Sequence, residues 1–139
     1  HHNQMAEFQA TSERPMFIFG DHTCVTKLSC RPFDVSQNVI PLEGSIRETI
    51  WTYYAVSELQ KFEEYRRHWA ELVAKHVCLP NEKITKAFSN HVLPFLLQKE
   101  QNEKQNQTLA ALRDTLLPKL ISGELRVAAA TETLKEAVG

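Results

Sequence analysis

The sequence predicts an α+β fold: a small domain of short strands plus a helix, followed by one long coiled-coil-type helix. Three observations carry this expectation. Residues 16–40 hold short apolar or alternating runs broken by Gly20-Asp21 and Pro32 and closed by Pro41, the punctuation of strands and turns. Ser45-Ile46-Arg47-Glu48 reads as a capping box ahead of an apolar, aromatic-rich run. From Glu82 to about Leu120 the chain is rich in Leu, Ala, Gln, Glu, Lys and Arg and contains no glycine, a composition that loses little rotamer freedom in a helix.

Taken in order, the first fifteen residues show little periodicity. Residues 16–19 are wholly apolar and end at Gly20-Asp21, which reads as a buried strand meeting a tight turn. Residues 23–28 are β-branched enough for a second strand. Over 33–40, Phe33, Val35 and Val39 alternate with Asp34, Ser36 and Asn38, the period of a half-buried strand. The capping box predicts a helix from Ser45 to about Phe62, with Ile46, Ile50 and Tyr53 on one stripe and Trp51, Ala55, Leu59 and Phe62 on another. Its aromatics Trp51, Tyr53 and Tyr54 read as core rather than as a base-stacking platform, since they stand at helical spacing beside aliphatics. Residues 73–79, with His76 and Cys78, are expected to close the sheet as a short strand.

The long segment would extend roughly 58 Å as one helix, far more than the core of a small domain can cover, so it needs a partner. Alternating steps of four and three place Ile84, Phe88, His91, Phe95, Gln98, Asn102, Gln105, Leu109, Leu112, Leu116 and Lys119 on one seam. Both ends of that seam are apolar, and Val92, Leu96, Leu117 and Leu120 broaden them. The middle, QKEQNEKQNQ over residues 98–107, is polar, which costs stability but sets register and partner choice. Pro94 is expected to bend the helix or to separate two shorter ones, Pro118 to act likewise near the far end, and Gly123 to stop it.

The densest surface candidate is FEEYRRHWAEL, residues 62–72. Tyr65, Arg66, Arg67, His68 and Trp69 combine two guanidinium forks, suited to phosphate or to the O6/N7 edge of guanine, with aromatic rings and an imidazole. The competing reading is an amphipathic turn in which the aromatics are buried and the arginines pair with Glu63, Glu64 or Glu71. Lys27 and Arg31, near a strand turn, are weaker candidates for DNA contact.

Composition excludes several classes. With 17 acidic and 16 basic residues the net charge is −1, which argues against a non-specific, charge-driven nucleic-acid binder. Cys24, Cys30 and Cys78 form no CxxC pair, so no zinc site is expected, and a reduced, cytoplasmic setting is the simplest account. No apolar run reaches membrane-spanning length. Asp21-His22-Thr23-Cys24 supplies an acid, an imidazole and a thiol, but neighbours on a strand point to opposite faces and do not converge. With no glycine-rich phosphate loop, dinucleotide fingerprint or metal motif, no catalytic residue and no cofactor is assigned. His1 and His2 are set aside as either tag or native chain.

Two stretches carry a resemblance. NQTLAALRDTLLPKLISGELRV, residues 106–127, closely resembles the C-terminal conserved region of the specificity subunit of type I restriction-modification systems. LPNEKITKAFSNHVLPF, residues 79–95, resembles the start of the same region, where a short strand ends in proline and the long helix begins. FIFGDHTCVTKLSCRPFDVSQNVIPLEG, residues 17–44, looks like the later strands of a target recognition domain of that family. The resemblance implies a C-terminal fragment comprising a partial target recognition domain over 1–80, a conserved spacer and dimerisation helix over 81–125, and a tail over 126–139.

It further implies a non-enzymatic role: reading one half of a bipartite site in double-stranded DNA while docking methyltransferase subunits, with the restriction subunit joining the complex. S-adenosylmethionine, ATP and magnesium would belong to those partners. The helix-pairing seam would be Ile84, Phe88, Phe95, Asn102, Leu109, Leu112 and Leu116, pairing antiparallel with a second helix, or with another copy as a homodimer in the isolated fragment. The alternative is a coiled-coil scaffold or dimerisation module that never touches DNA, favoured by the near-neutral charge. A small hydrolase built on His22 and Cys24 is a third reading, which would need a convergent base and an enclosed pocket.

Overall fold

The computed structural model describes residues 5–127, 131 and 135. His1 and His2 and most of the expected tail lie outside the described residues. The element order is β1 (Met16–Gly20), β2 (Thr26–Ser29), β3 (Val39–Leu42), α1 (Thr49–Val56), α2 (Trp69–Val73) and α3 (Glu82–Ile121). This is an α+β architecture: a three-stranded antiparallel sheet in the order β2-β1-β3, short helices, and one long helix. The chain divides into two units, His1–Leu97 and Gln98–Gly139.

In the first unit the sheet is built on β1. Phe17 and Phe19 are buried while Met16 and Ile18 are half-buried, as alternate residues on a pleated strand should be. Phe17 stands opposite Leu28 and Leu42, and Phe19 opposite Thr26 and Ile40, so these residues share the inner face. Two helices cover that face. Tyr53 of α1 meets Phe17 edge-on at 5.7 Å between centroids, and Trp69 of α2 lies against Phe19 at 6.1 Å. Ala10, Ile50 and Leu72 are buried with them.

Three predicted elements come out differently. The alternation over 33–40 is not one strand. Phe33 instead forms an isolated antiparallel bridge with Phe8, their rings stacked at 5.5 Å, which ties down the early segment. Asn38 then adopts φ 66° in a turn, and β3 begins at Val39. Asparagine tolerates that left-handed conformation better than most residues.

The helix predicted from Ser45 starts only at Thr49, capped by Glu48 with no side-chain capping bond. Tertiary contacts outcompete the local box. The Arg47 guanidinium donates to the carbonyl of Pro80 at 3.2 Å, and the Gly44 amide donates to Thr49 Oγ1 at 3.0 Å. Gly44 packs closely here, because a Cβ would collide with the Arg47 carbonyl oxygen and lie 2.9 Å from the Thr49 nitrogen. The strand predicted over 73–79 is absent. Residues 69–73 form α2, and 75–80 run without regular structure to α3.

Asn81 caps α3: its side-chain oxygen accepts the Lys83 amide at 2.8 Å and its carbonyl accepts the Ile84 and Thr85 amides. Within the first unit the helix buries Thr85 and Ser89, one turn apart, which leaves Ile84, Phe88 and Phe95 at 61%, 38% and 66% exposure. Small side chains at the contact allow close approach; of the predicted seam, Phe88 meets Tyr54 of α1 edge-on at 5.7 Å, while Ile84 and Phe95 are largely exposed. The helix runs through Pro94 without the break that separate helices would require.

The second unit holds residues 98–121 of the same helix. Its polar stretch is knit by local pairs, Gln98 Nε2 to Asn102 Oδ1 at 2.9 Å and Lys99 to Glu103 at 3.9 Å. Leu109, Leu117 and Ile121 are exposed, at 43%, 50% and 78%. The helix continues through Pro118 to Ile121, and Gly123 follows at φ 76°, the left-handed position that glycine fills without steric cost. The Ser122 amide donates to the Pro118 carbonyl and the Leu125 amide to the Lys119 carbonyl, which satisfies two of the last acceptors of the helix.

Candidate nucleic-acid interface

The segment 60–72 is held against the turn between β1 and β2 by one carboxylate. Asp21 is only 6% exposed, and its amide donates to the Asn38 carbonyl at 2.8 Å. Its Oδ1 accepts the amides of His68 at 2.9 Å and Trp69 at 2.8 Å, and its backbone carbonyl also accepts the His68 amide at 2.8 Å. A short helix otherwise has orphan amides at its start; here residue 21 supplies the acceptor across 47 positions of sequence.

His68 is fully buried. Its Nε2 stands 3.0 Å from the Glu64 carbonyl, which can only accept, so Nε2 carries the proton and donates. On the other side of the ring, Nδ1 lies 3.3 Å from Gln60 Nε2 and 3.2 Å from Glu71 Oε2. Nδ1 thus faces both the Gln60 amide and the Glu71 carboxylate, and the Gln60 amide also donates to Glu71 at 2.7 Å. The imidazole therefore joins the segment to its own start and faces no solvent.

The two neighbouring arginines stand in different surroundings. Arg66 pairs with Glu63 at 3.1 Å, with Glu64 at 2.9 Å and with Glu71. Three carboxylates thus share one guanidinium, and a phosphate would have to displace them. Arg67 is 78% exposed at its side chain, and its Nε lies 3.8 Å from Asp21 Oδ2. Tyr65 is 78% exposed, yet its ring stacks on His22 with centroids 4.8 Å apart. Trp69 is half-buried on Phe19.

Tyr65, Arg66, Arg67, His68 and Trp69 thus form one cluster with Asp21 and His22. Lys27 is not part of it. It stands opposite Ile18 on the outer face of the sheet, whereas Trp69 packs on the inner face. Arg31 is exposed just beyond β2, in a turn where the Ser29 hydroxyl accepts its amide at 3.2 Å and donates to its carbonyl at 2.8 Å. Glu71 was expected only as a partner of the arginines, and Asp21, His22 and Gln60 were not expected in this cluster. Asp21 and His22 stood out only as a possible acid and imidazole, and nothing in the spacing linked them to residue 68.

The surroundings of Cys24 bear on nucleophilic chemistry. Burial pushes its thiol up, Asp21 and Glu63 add to the rise, and Arg66 opposes it. A raised thiol has less thiolate at neutral pH and is a poorer nucleophile. The Asp21 carboxylate, moreover, is committed to backbone amides and does not orient an imidazole. Among the described residues no three His, Cys, Asp or Glu side chains are placed to hold a metal ion, and no helix is long and apolar enough to cross a membrane.

The sequence is 31% identical over 83 residues to the specificity subunit of the type I restriction enzyme MjaIX of Methanocaldococcus jannaschii. The aligned stretch covers 60% of this chain and 16% of that relative, so the similarity is distant and touches a small part of the longer protein. No family model matches the chain, and no solved structure matches it.

Proposed function

We propose that this chain is a sequence-specific DNA recognition element of a type I restriction-modification complex. It reads one half of a bipartite site in double-stranded DNA and docks methyltransferase subunits, and the restriction subunit joins the larger assembly. The observation that carries this reading is the 31% identity to a type I specificity subunit. A small sheet domain continuing into one long helix accords with a reading head and a spacer. In this reading residues 1–80 belong to the target recognition domain and 81–125 to the spacer, the setting is cytoplasmic, and chemistry and its cofactors reside in the partner subunits.

Net charge near zero directs the DNA contact to a local patch rather than to bulk attraction. The 65–69 cluster is the candidate for it, with Tyr65 and Arg67 both exposed. Ile84, Phe88, Phe95, Asn102, Leu109, Leu112 and Leu116 form the pairing face of α3, apolar at both ends and polar at Asn102. In the isolated chain a second copy paired antiparallel would cover it. Sedimentation equilibrium should then show concentration-dependent association, and a concentration-independent monomer would remove the pairing claim.

The recognition claim is tested by selection from a random pool of labelled duplexes against non-specific competitor, at two salt concentrations. The wild type should select a short motif, and an Arg66→Ala/Arg67→Ala double variant should lose it. One observation favours a second reading, a scaffold without DNA contact: carboxylates surround Arg66 and leave little positive charge on the patch. Association without selection of any motif would support that reading.

A further inference from the structure

We infer that Arg67, and not Arg66, is the base-reading cation of this segment, and that Asp21 is the residue that positions it. This rests on the DNA-recognition reading above and divides labour within it. Arg66 is engaged by Glu63, Glu64 and Glu71, so any contact with DNA would cost it charge-assisted bonds that hold the segment together. Among the described residues the ion pair of Arg67 is with Asp21, loose at 3.8 Å, and its side chain is 78% exposed.

The two oxygens of Asp21 do different work. Oδ1 accepts the amides of His68 and Trp69, which fixes the backbone immediately after Arg67. Oδ2 stands 3.8 Å from Arg67 Nε, so the same anchored carboxylate faces the guanidinium. A fork discriminates bases only when its orientation is fixed, because bidentate geometry with guanine O6 and N7 is what rejects the other bases. A reading side chain needs a supporting residue whose own position is locked by packing and hydrogen bonds. Asp21 meets that description: it is buried, and its amide is bonded to the Asn38 carbonyl. The target is therefore a guanine at one position of the half-site.

The experiment repeats the selection on the full 139-residue chain with single variants. Arg67→Ala should lose about 5- to 150-fold of discrimination at one guanine position, the span expected for one bidentate contact. Arg67→Lys, which keeps the charge but removes the fork, should relax the same position while retaining affinity for non-target duplex. Asp21→Asn is the positioning test. Its side-chain carbonyl can still accept both amides while its amide group faces Arg67, so the fold should persist by circular dichroism and discrimination should fall at that position alone. Arg66→Ala should leave every base preference in place. If the wild type selects a motif and Arg67→Ala or Asp21→Asn retains every base preference, this inference is overturned and the recognition reading stands. If the wild type selects no motif, both are overturned.

Discussion

Replacing His68 by alanine should cost far more stability than replacing Tyr65, three residues away in the same surface candidate. His68 is fully buried and has polar partners on both ring nitrogens: the Glu64 carbonyl at 3.0 Å, and Gln60 and Glu71 at 3.3 and 3.2 Å. Removing the ring leaves a cavity, worth about 2 kcal/mol for a side chain of this size, and strips the Glu64 carbonyl of its donor, worth about 1 kcal/mol more. The total is about 3 kcal/mol. Tyr65, at 78% exposure, loses only its stack on His22, about 0.5 kcal/mol. In urea unfolding followed by far-ultraviolet circular dichroism, with a slope of about 1.5 kcal/mol/M, the midpoints should fall by about 2 M and about 0.3 M. Equal shifts at an unchanged slope, or a His68→Ala cost below about 1 kcal/mol, would refute the buried-imidazole arrangement.

Three further outcomes are expected. Gly44→Ala forces a methyl group into the Arg47 carbonyl oxygen and the Thr49 nitrogen, both backbone atoms with little room to yield; it should lower stability by about 2 kcal/mol, seen as a drop in melting temperature of several degrees. Ser89→Ala removes a buried hydroxyl that has no hydrogen-bond partner, so it should raise the urea midpoint by the equivalent of about 1 kcal/mol, and a clear loss would contradict the geometry. The hydrogen bond from Arg14 holds the Glu43 carboxyl below its ordinary value. Because the folded value is the lower one, the contribution of this pair is present above the unfolded carboxylate value near pH ~4.3 and is lost as pH falls through the folded one. A carboxyl-carbon NMR titration should show the depressed midpoint in the wild type and the ordinary one in Arg14→Ala.

Local signals read true where the interaction they report is itself local. The run 16–19 ending at Gly20-Asp21 became β1 and its turn, because a short apolar run punctuated by a glycine and an aspartate is itself a local signal of a buried strand meeting a turn. Gly123 ends α3 for the same kind of reason. The misreadings share one cause, contacts distant in sequence. The capping box at Ser45 was sound chemistry, yet the pull of the Pro80 carbonyl on Arg47 delayed the helix to Thr49. Residues 69–73 became a helix whose start is held by Asp21, a carboxylate 48 positions before Trp69 that takes the amides of the capping His68 and of Trp69. In the candidate interface, adjacency in the chain showed which residues would cluster. The pairing of Arg66 with Glu63, Glu64 and Glu71 was legible as one of two readings, but adjacency did not show that His68 would face inward or that Tyr65, expected to be buried in that reading, would face solvent with Arg67.

The sheet has one further consequence. With only three strands, β2 and β3 each present an outer row of backbone donors and acceptors, and such a row is a template on which a strand from another molecule can grow. Both rims carry a deterrent, and the two lie level with each other. Ile18 in the central strand stands opposite Lys27 on one side and Pro41 on the other. An incoming strand would have to bury the lysine ammonium on the first rim, and on the second it meets a proline with no N–H to offer. Lys27 thus has a use independent of DNA. Replacing it together with Pro41 by valine should leave the folded chain intact and turn it into one that forms fibrils when concentrated.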